Sequence, residues 1–321
     1  MNELDMVTSY INFIARNILV LLITFLFFSA CVHKPQVPLS TTWSINSDVL
    51  GHTLTISSSS RFAGAICSVN WNGKEFINQD DHGRELQSAS SFDGLGECYN
   101  PTEAGAEANG AGDTSTSKLL SFNASGRQIN SSTQMAFWTN PNQPYPAGCG
   151  TDTNIKVAQN NTALSNHILT KQITVGYSGI PNAIEYLVNF YVPEHHTAAT
   201  FESLTGYLNQ DFSSFWTFVP ATQTLTALSP GPGEQSIPVI FSTADSQYAM
   251  GIYSPDLPQQ GFSGLGYGRF NFLSQNTMKW NAVFRRYDTP IGNYNFRLYV
   301  VVGSLLDVSN GITSVYKKFY P

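Results

Sequence analysis

Charge is what this chain has least of: of 321 residues, 16 are Lys or Arg and 22 are Asp or Glu, 12% in all. With a net charge of -6 there is no basic stripe, which argues against nucleic acid as a partner. Cysteine is scarce, at four, and no CxxC or His-rich neighbour accompanies it, so no metal site and no cofactor is expected. The sequence also lacks a G-x-S-x-G elbow, a GxxxxGK[ST] loop and an HExxH helix, so those routes to serine hydrolysis, nucleotide binding and zinc proteolysis are closed. Gly261 to Gly268 is rich in glycine, but it follows no parallel strand and opens no helix; it reads as a loop. No repeat of fixed period occurs.

Long apolar runs are missing too, apart from Ile18 to Phe28 (ILVLLITFLFF), which is short for a membrane-spanning helix and has the form of a signal-peptide core. Phe28, Ser29, Ala30 and Cys31 follow, and this run of small residues ending in cysteine resembles the lipobox of bacterial lipoproteins. The resemblance implies a signal peptide over 1–30 and lipidation at Cys31. It places the protein in a bacterial cell envelope, at the outer membrane, facing the periplasm or the surface. The n-region carries Glu3, Asp5 and a lone Arg16, and Met6 is a second candidate start. An uncleaved anchor with Cys31 as an ordinary thiol is the alternative. Residues 31–42, with two prolines and no apolar period, read as a tether, which leaves 43–321 for one domain, expected to be a monomer.

Aromatic and β-branched residues then recur in short alternating runs parted by Gly, Pro, Asn and Ser, the pattern of an antiparallel all-β protein. Strands are expected at Thr53–Ser57, Ala63–Trp71, Gln134–Thr139, Ile168–Val175, Ala183–Val192, Thr200–Leu208 and Ser214–Val219. Further ones follow at Ile237–Ser242, Tyr248–Tyr253, Met278–Tyr287 and Tyr294–Gly303. Leu305 to Phe319 alone has helical spacing, so the fold class is a large antiparallel β-sandwich with a short C-terminal helix. Asn72-Gly73 between apolar runs marks a hairpin.

Trp71-Asn72-Gly73-Lys74-Glu75-Phe76, followed by the polar turn at Gly83, resembles the galactose-mutarotase-like supersandwich of sugar epimerases, glycosidases and polysaccharide lyases. The resemblance implies a concave sheet face that presents polar residues to a carbohydrate. Mutarotases of this kind use an early Arg, two histidines and a late glutamate; Arg84 and His82 match the early positions and His195 or His196 the middle ones. No glutamate follows Glu234, so the late base is missing and mutarotase roles are not carried over.

Against the general poverty in charge, residues 80–107 hold seven of the 22 acids, where an even spread would place about two. Within this stretch His82, flanked by Asp81, is a candidate general acid, or else part of a turn. Arg84, two residues on, is expected on the same face of an extended chain, where it would hold sugar hydroxyls or pair with Glu85 or Glu97. Glu97 and Glu103, in a loop punctuated by Gly and Pro, have the chemistry of the paired acid and base of glycoside hydrolysis. The plainer alternative for them is a loop that binds its own amides or a structural calcium. Tyr99 and Asn100 complete the loop as substrate contacts.

A second cluster, His195, His196, Glu202 and Tyr207, follows the strand Ala183–Val192; His195 and Glu202 join the candidate substrate-binding set, although solvent exposure of both histidines is the simpler reading. Trp138 and Trp216 are candidate stacking surfaces for a sugar ring. Lys279, Arg285 and Arg286 offer positive charge for a uronate, but alternation on a late strand makes solvent exposure the plainer reading. Of the three cysteines after Cys31, Cys98 and Cys149 lie in loops and are the expected disulfide, with Cys67 a buried thiol. The expected function is an envelope lipoprotein that binds and cleaves or rearranges a glycan by carboxylate and His acid-base chemistry; the alternative is a non-catalytic sugar-binding or structural lipoprotein.

Overall fold

The structure, a computed structural model, describes residues 40–260 and 266–321. The expectations for the apolar run, for Cys31 and for most of the tether lie outside the described residues. So does most of the glycine-rich stretch from Gly261.

Among the described residues nineteen strands pair in two antiparallel runs. The first contains β1 (Thr42–Val49), β2 (His52–Ser59), β3 (Ile66–Trp71), β5 (Leu86–Phe92), β11 (His196–Asn209), β18 (Thr277–Thr289), β17 (Tyr267–Phe272) and β14 (Gly233–Gln235), in that spatial order. The short β4 (Lys74–Glu75) hangs on β3. The second run orders β7 (Lys118–Ser125), β8 (Gln128–Phe137), β9 (Leu164–Val175), β10 (Ala183–Val192), β19 (Gly292–Gly303), β16 (Ala249–Tyr253), β15 (Val239–Ser242), β12 (Ser214–Val219) and β13 (Thr224–Leu228). Two-residue β6 (Pro101–Thr102) bridges β5 to β8 and so ties the runs together.

Alternation explains why the runs face each other. Along β10, Ile184, Tyr186, Val188, Phe190 and Val192 are buried, while Glu185, Leu187, Asn189 and Tyr191 point out. The same period on β5, β11 and β18 buries Leu86, Phe92, Phe201, Leu208, Trp280 and Phe284 in one core with the β10 residues. An all-β sandwich results, as its strand pattern implies. Trp280 is fully buried, and its ring lies over Gly206 on the neighbouring strand, where an added Cβ would sit 2.5 Å from the indole. Truncating such a residue to alanine costs about 3–5 kcal/mol.

Several expected bounds shift. The strand expected at Gln134–Thr139 is the end of the longer β8, and Ala63 leaves the strand expected at Ala63–Trp71 because it caps a 3-10 turn with φ +50°. β1 begins at Thr42, within the expected tether, and β5, β7, β13, β14 and β17 carry too few apolar residues in alternation to stand out. Among the described residues the single α-helix is α1 (Leu305–Phe319). Ser304 caps it: its hydroxyl accepts from the Asp307 amide at 3.2 Å, and the Asp307 carboxylate accepts from the Ser304 amide at 3.0 Å. Val308, Ile312 and Val315 turn onto Ile240, Tyr299 and Val301 of the second run.

Candidate active site

The acid-rich stretch is a turn, the strand β5 and the loop segments around β6, and its side chains go to different places. Asp80 and Asp81 are taken by Arg84, each at 3.1 Å, in a tight turn. Arg84 therefore holds the turn and not a sugar, and it shares no face with His82, because the chain here is a turn and not extended. His82 is wholly buried: Nδ1 lies 2.8 Å from the Gly110 carbonyl and Nε2 2.8 Å from that of Arg61. With both nitrogens engaged by backbone it clasps the loop and reaches no substrate, which corrects its expected role as an acid.

Glu103 is corrected likewise. Its side chain is 0% exposed and paired with the equally buried Lys171 at 2.5 Å, and its other oxygen accepts from the Ser88 amide at 2.9 Å. Burial pushes its carboxyl up although Lys171 pulls it down. Removing one partner of such a pair strands the other, so the pair locks β9 to the loop and is not available as half of a catalytic couple. Tyr99 turns into an aromatic cluster with Phe92 and Phe137, and its hydroxyl bonds Glu194. His195 is exposed and pairs with Asp288 at 2.8 Å, and Trp216 donates to Ser242 at 3.0 Å within the packing under α1. None of these three lines the cleft described next.

What the loop does bring to the sheet is Glu97. Gly96–Tyr99 is a 3-10 turn held at Cys98 by the disulfide to Cys149, with Cα atoms 5.5 Å apart. The carbonyl of Glu97 accepts from the Thr139 hydroxyl at 3.0 Å, and its carboxylate accepts from the Asn100 amide at 2.9 Å. Below it on β11 stands Glu202, at a bulge: against β18 the register shifts between Glu202 and Leu204. In a regular strand Glu202 and Tyr207, five apart, would face opposite ways; the extra residue at the bulge turns both to the outer face. Lys279 on β18 lies directly opposite Tyr207.

Three donors converge on Oε2 of Glu202: Lys279 Nζ at 3.1 Å, Thr205 Oγ1 at 3.0 Å and Asn281 Nδ2 at 3.2 Å. The ammonium also lies 5.2 Å from the Tyr207 ring centre and 5.3 Å from that of Phe270. Lys279 is thus part-buried and paired, 14% exposed at its side chain, which corrects its expected place in solvent.

The two carboxyls are driven apart. Burial pushes Glu97 up and outweighs the pull of Lys279, with Glu202 adding a smaller push. Burial acts to raise Glu202 as well, but Lys279 and the bonds from Asn281 and Thr205 outweigh it and hold the carboxylate below its ordinary value. Burial alone would lower the ammonium of Lys279; Glu202 and Tyr207 hold it up. One acid stays protonated to higher pH while its neighbour stays ionised to lower pH, the relation required of a proton donor and acceptor.

Glu97, Glu202, Lys279, Tyr207, Asn100 and Trp138 line one cleft of about 110 Å³. Gly83 stands against the Trp138 ring, where a Cβ would come within 2.6 Å of it. Glu97, Asn100, Glu202 and Trp138 are thus brought together from the expected set, and Lys279, whose plainer reading was solvent exposure, joins them. Its signal, a lysine between Met278 and Trp280 on a strand that buries both, is weak in sequence. Among the described residues no group of three or more His, Cys, Asp or Glu is gathered to hold a metal. Of the two loop acids for which a structural calcium was the alternative, Glu97 is bonded to Asn100 and Glu103 to Lys171.

No family model matches the chain, and no curated protein matches it. Among solved structures it is similar to a heparan sulfate lyase mutant from Pedobacter heparinus, with 8% identity over 83% of this chain and 36% of that one, TM-score 0.41. It is also similar to an alpha-galactosidase from Lactobacillus brevis, with 8% identity over 86% of this chain and 42% of that one, TM-score 0.46. The Slr1438 protein from Synechocystis is a third, with 7% identity over 82% of this chain and 96% of that one, TM-score 0.43. At such identities and TM-scores the likeness carries no information on chemistry. The chain spans little more than a third of the lyase's length.

Proposed function

We propose that this protein acts on a glycan by acid-base chemistry, with Glu97 as proton donor and Glu202 as proton acceptor. The observation that supports it is the opposed displacement of the two carboxyls around one cleft. Lys279 keeps Glu202 ionised and offers positive charge to a developing oxyanion or a uronate. Asn100 orients Glu97, and the Trp138 face supplies a wall on which the apolar side of a pyranose packs. About 110 Å³ is less than the several hundred Å³ of ordinary small-molecule sites, so the cleft takes the reacting edge of a ring while the rest of the sugar lies at its mouth.

The test is product release from a glycan panel by the purified protein and by Glu97→Gln and Glu202→Gln variants. Full activity in both variants sinks the assignment. A non-catalytic sugar-binding role is the second reading, favoured by the three donors already on Glu202 Oε2; it requires retention on a glycan without any product.

The proposal extends to address: a signal peptide over 1–30, Cys31 as the lipidated residue at the outer membrane, and a monomeric domain beyond. Cys31→Ala would release the protein to the soluble fraction and abolish palmitate labelling; unchanged labelling would refute it.

A further inference from the structure

A groove of about 630 Å³ lies on the outer face of the second run, and none of the residues of the acid-base cleft lines it. Its floor is set by register. Ser132, Thr170, Asn189 and Asn295 stand side by side in one row across β8, β9, β10 and β19. Asn130 and Gln172 begin the next row, which continues through Leu187 to Arg297. Neighbouring strands are about 4.8 Å apart, so each row offers hydroxyl and carboxamide groups at a step close to the width of a sugar ring.

The groove has no uncompensated charge. Arg297 pairs with Asp256 at 3.4 Å and lies 4.6 Å from the Phe319 ring centre, while the ammonium of Lys171 turns inward to Glu103. An anion or a polycation therefore finds no partner here. A protein partner would want an apolar centre, and six of the eight positions in the two rows carry a hydroxyl or an amide. Carboxamides both donate and accept, which matches hydroxyl groups that do the same. Asn189 already donates to Asn295 at 2.9 Å, which fixes one amide pair across the floor. Leu187, 39% exposed, and Tyr191, 38% exposed, flank Asn189 on the same face of β10 and supply apolar surface for the C–H side of a ring.

We propose that this groove binds a neutral oligosaccharide laid along its amide rows, at a site separate from the acid-base cleft. It stands beside the proposed activity and does not require it.

The test is native affinity electrophoresis of the full chain, held in non-ionic detergent, through gels containing a mixed-linkage β-glucan, a galactomannan, a dextran or, as the charged control, polygalacturonate. At least one neutral polymer retards the protein, and Asn189→Ala/Asn295→Ala weakens that retardation tenfold or more. Glu97→Gln/Glu202→Gln leaves it unchanged. If the double groove variant fails to fold, Gln172→Ala, exposed and outside the core, must show the same weakening in direction. No retardation by any neutral polymer, retardation by polygalacturonate alone, or a loss seen in the cleft variants and not in the groove variants would each overturn the proposal. Because product release is read separately, failure of the groove and failure of the acid-base reading give different results.

Discussion

The two outer faces of the sandwich are both polar, yet they are polar in opposite ways. On the first, charge is concentrated and part-buried: Glu97, Glu202 and Lys279 crowd a cleft of about 110 Å³ under a disulfide-tied loop. On the second, neutral amides spread over about 630 Å³ of open groove. The larger space is thus not where the reactive groups are. Burial moves carboxyl pKa values and makes proton transfer possible, whereas open, neutral surface moves none and suits a hydroxylated ligand that is only held.

That contrast gives a graded set of expectations. The largest concerns the cleft alone: Glu97→Gln or Glu202→Gln should lower turnover of whichever glycan is processed by about 10³-fold. Retention in the groove should stay unchanged, and a parallel loss in both assays would merge the two sites into one. Next, Cys98→Ser/Cys149→Ser opens a loop with a sequence separation of 51 and should cost about 4 kcal/mol by denaturant titration. Activity should suffer more than groove binding, since Glu97 is the neighbour of Cys98.

Lys279→Met should cost about 3 kcal/mol, the low end for a broken buried pair, because the Glu202 side chain keeps 28% exposure. It should also remove the main pull on Glu202. In the parent the lowered carboxylate contributes stability that is full above the ordinary carboxylate range, about 4.3, and is lost as pH falls through its own lower value. In the variant that acid limb should flatten, which a series of melting curves would reveal.

The smallest effect has the opposite sign. Glu85 is wholly buried, sits at φ +72° and is pushed well up by burial and then by Asp81. The folded chain holds that proton more tightly than the unfolded one, so stability falls as pH climbs from the ordinary range toward the raised value. Glu85→Gln should lift Tm by a few degrees at alkaline pH and leave it alone near pH 4; an equal shift at both would mean that packing, not protonation, is responsible.

Much of the scaffold was readable. Ala183–Val192 and Leu305–Phe319 coincide with β10 and α1 because they carry an unbroken period of two and of 3.6, and Ser214–Val219 coincides with β12 as a short run rich in aromatics. Polar strands such as β7 carry no such period and were not readable. The acid-rich stretch 80–107 supplies one carboxyl to the cleft, yet clustering in sequence does not distinguish a clasp (His82), a turn (Arg84), a core ion pair (Glu103) and a cleft acid (Glu97). Those differ in what surrounds them: Arg84 meets Asp80 and Asp81 of its own turn, whereas Glu103 meets Lys171 of β9 and Glu97 shares its cleft with Glu202 of β11 and Lys279 of β18.

Composition and periodicity therefore determined by themselves that this is an all-β sandwich with a terminal helix and a charge-rich loop, because burial of alternate side chains is a local property of a strand. Which acids face each other was decided by tertiary structure. A bulge in β11 reverses the facing of Glu202 relative to Tyr207, and β18 lays Lys279 alongside. The pKa separation on which the proposed donor and acceptor roles of Glu97 and Glu202 rest depends on distance and desolvation, and neither quantity exists until the chain has folded.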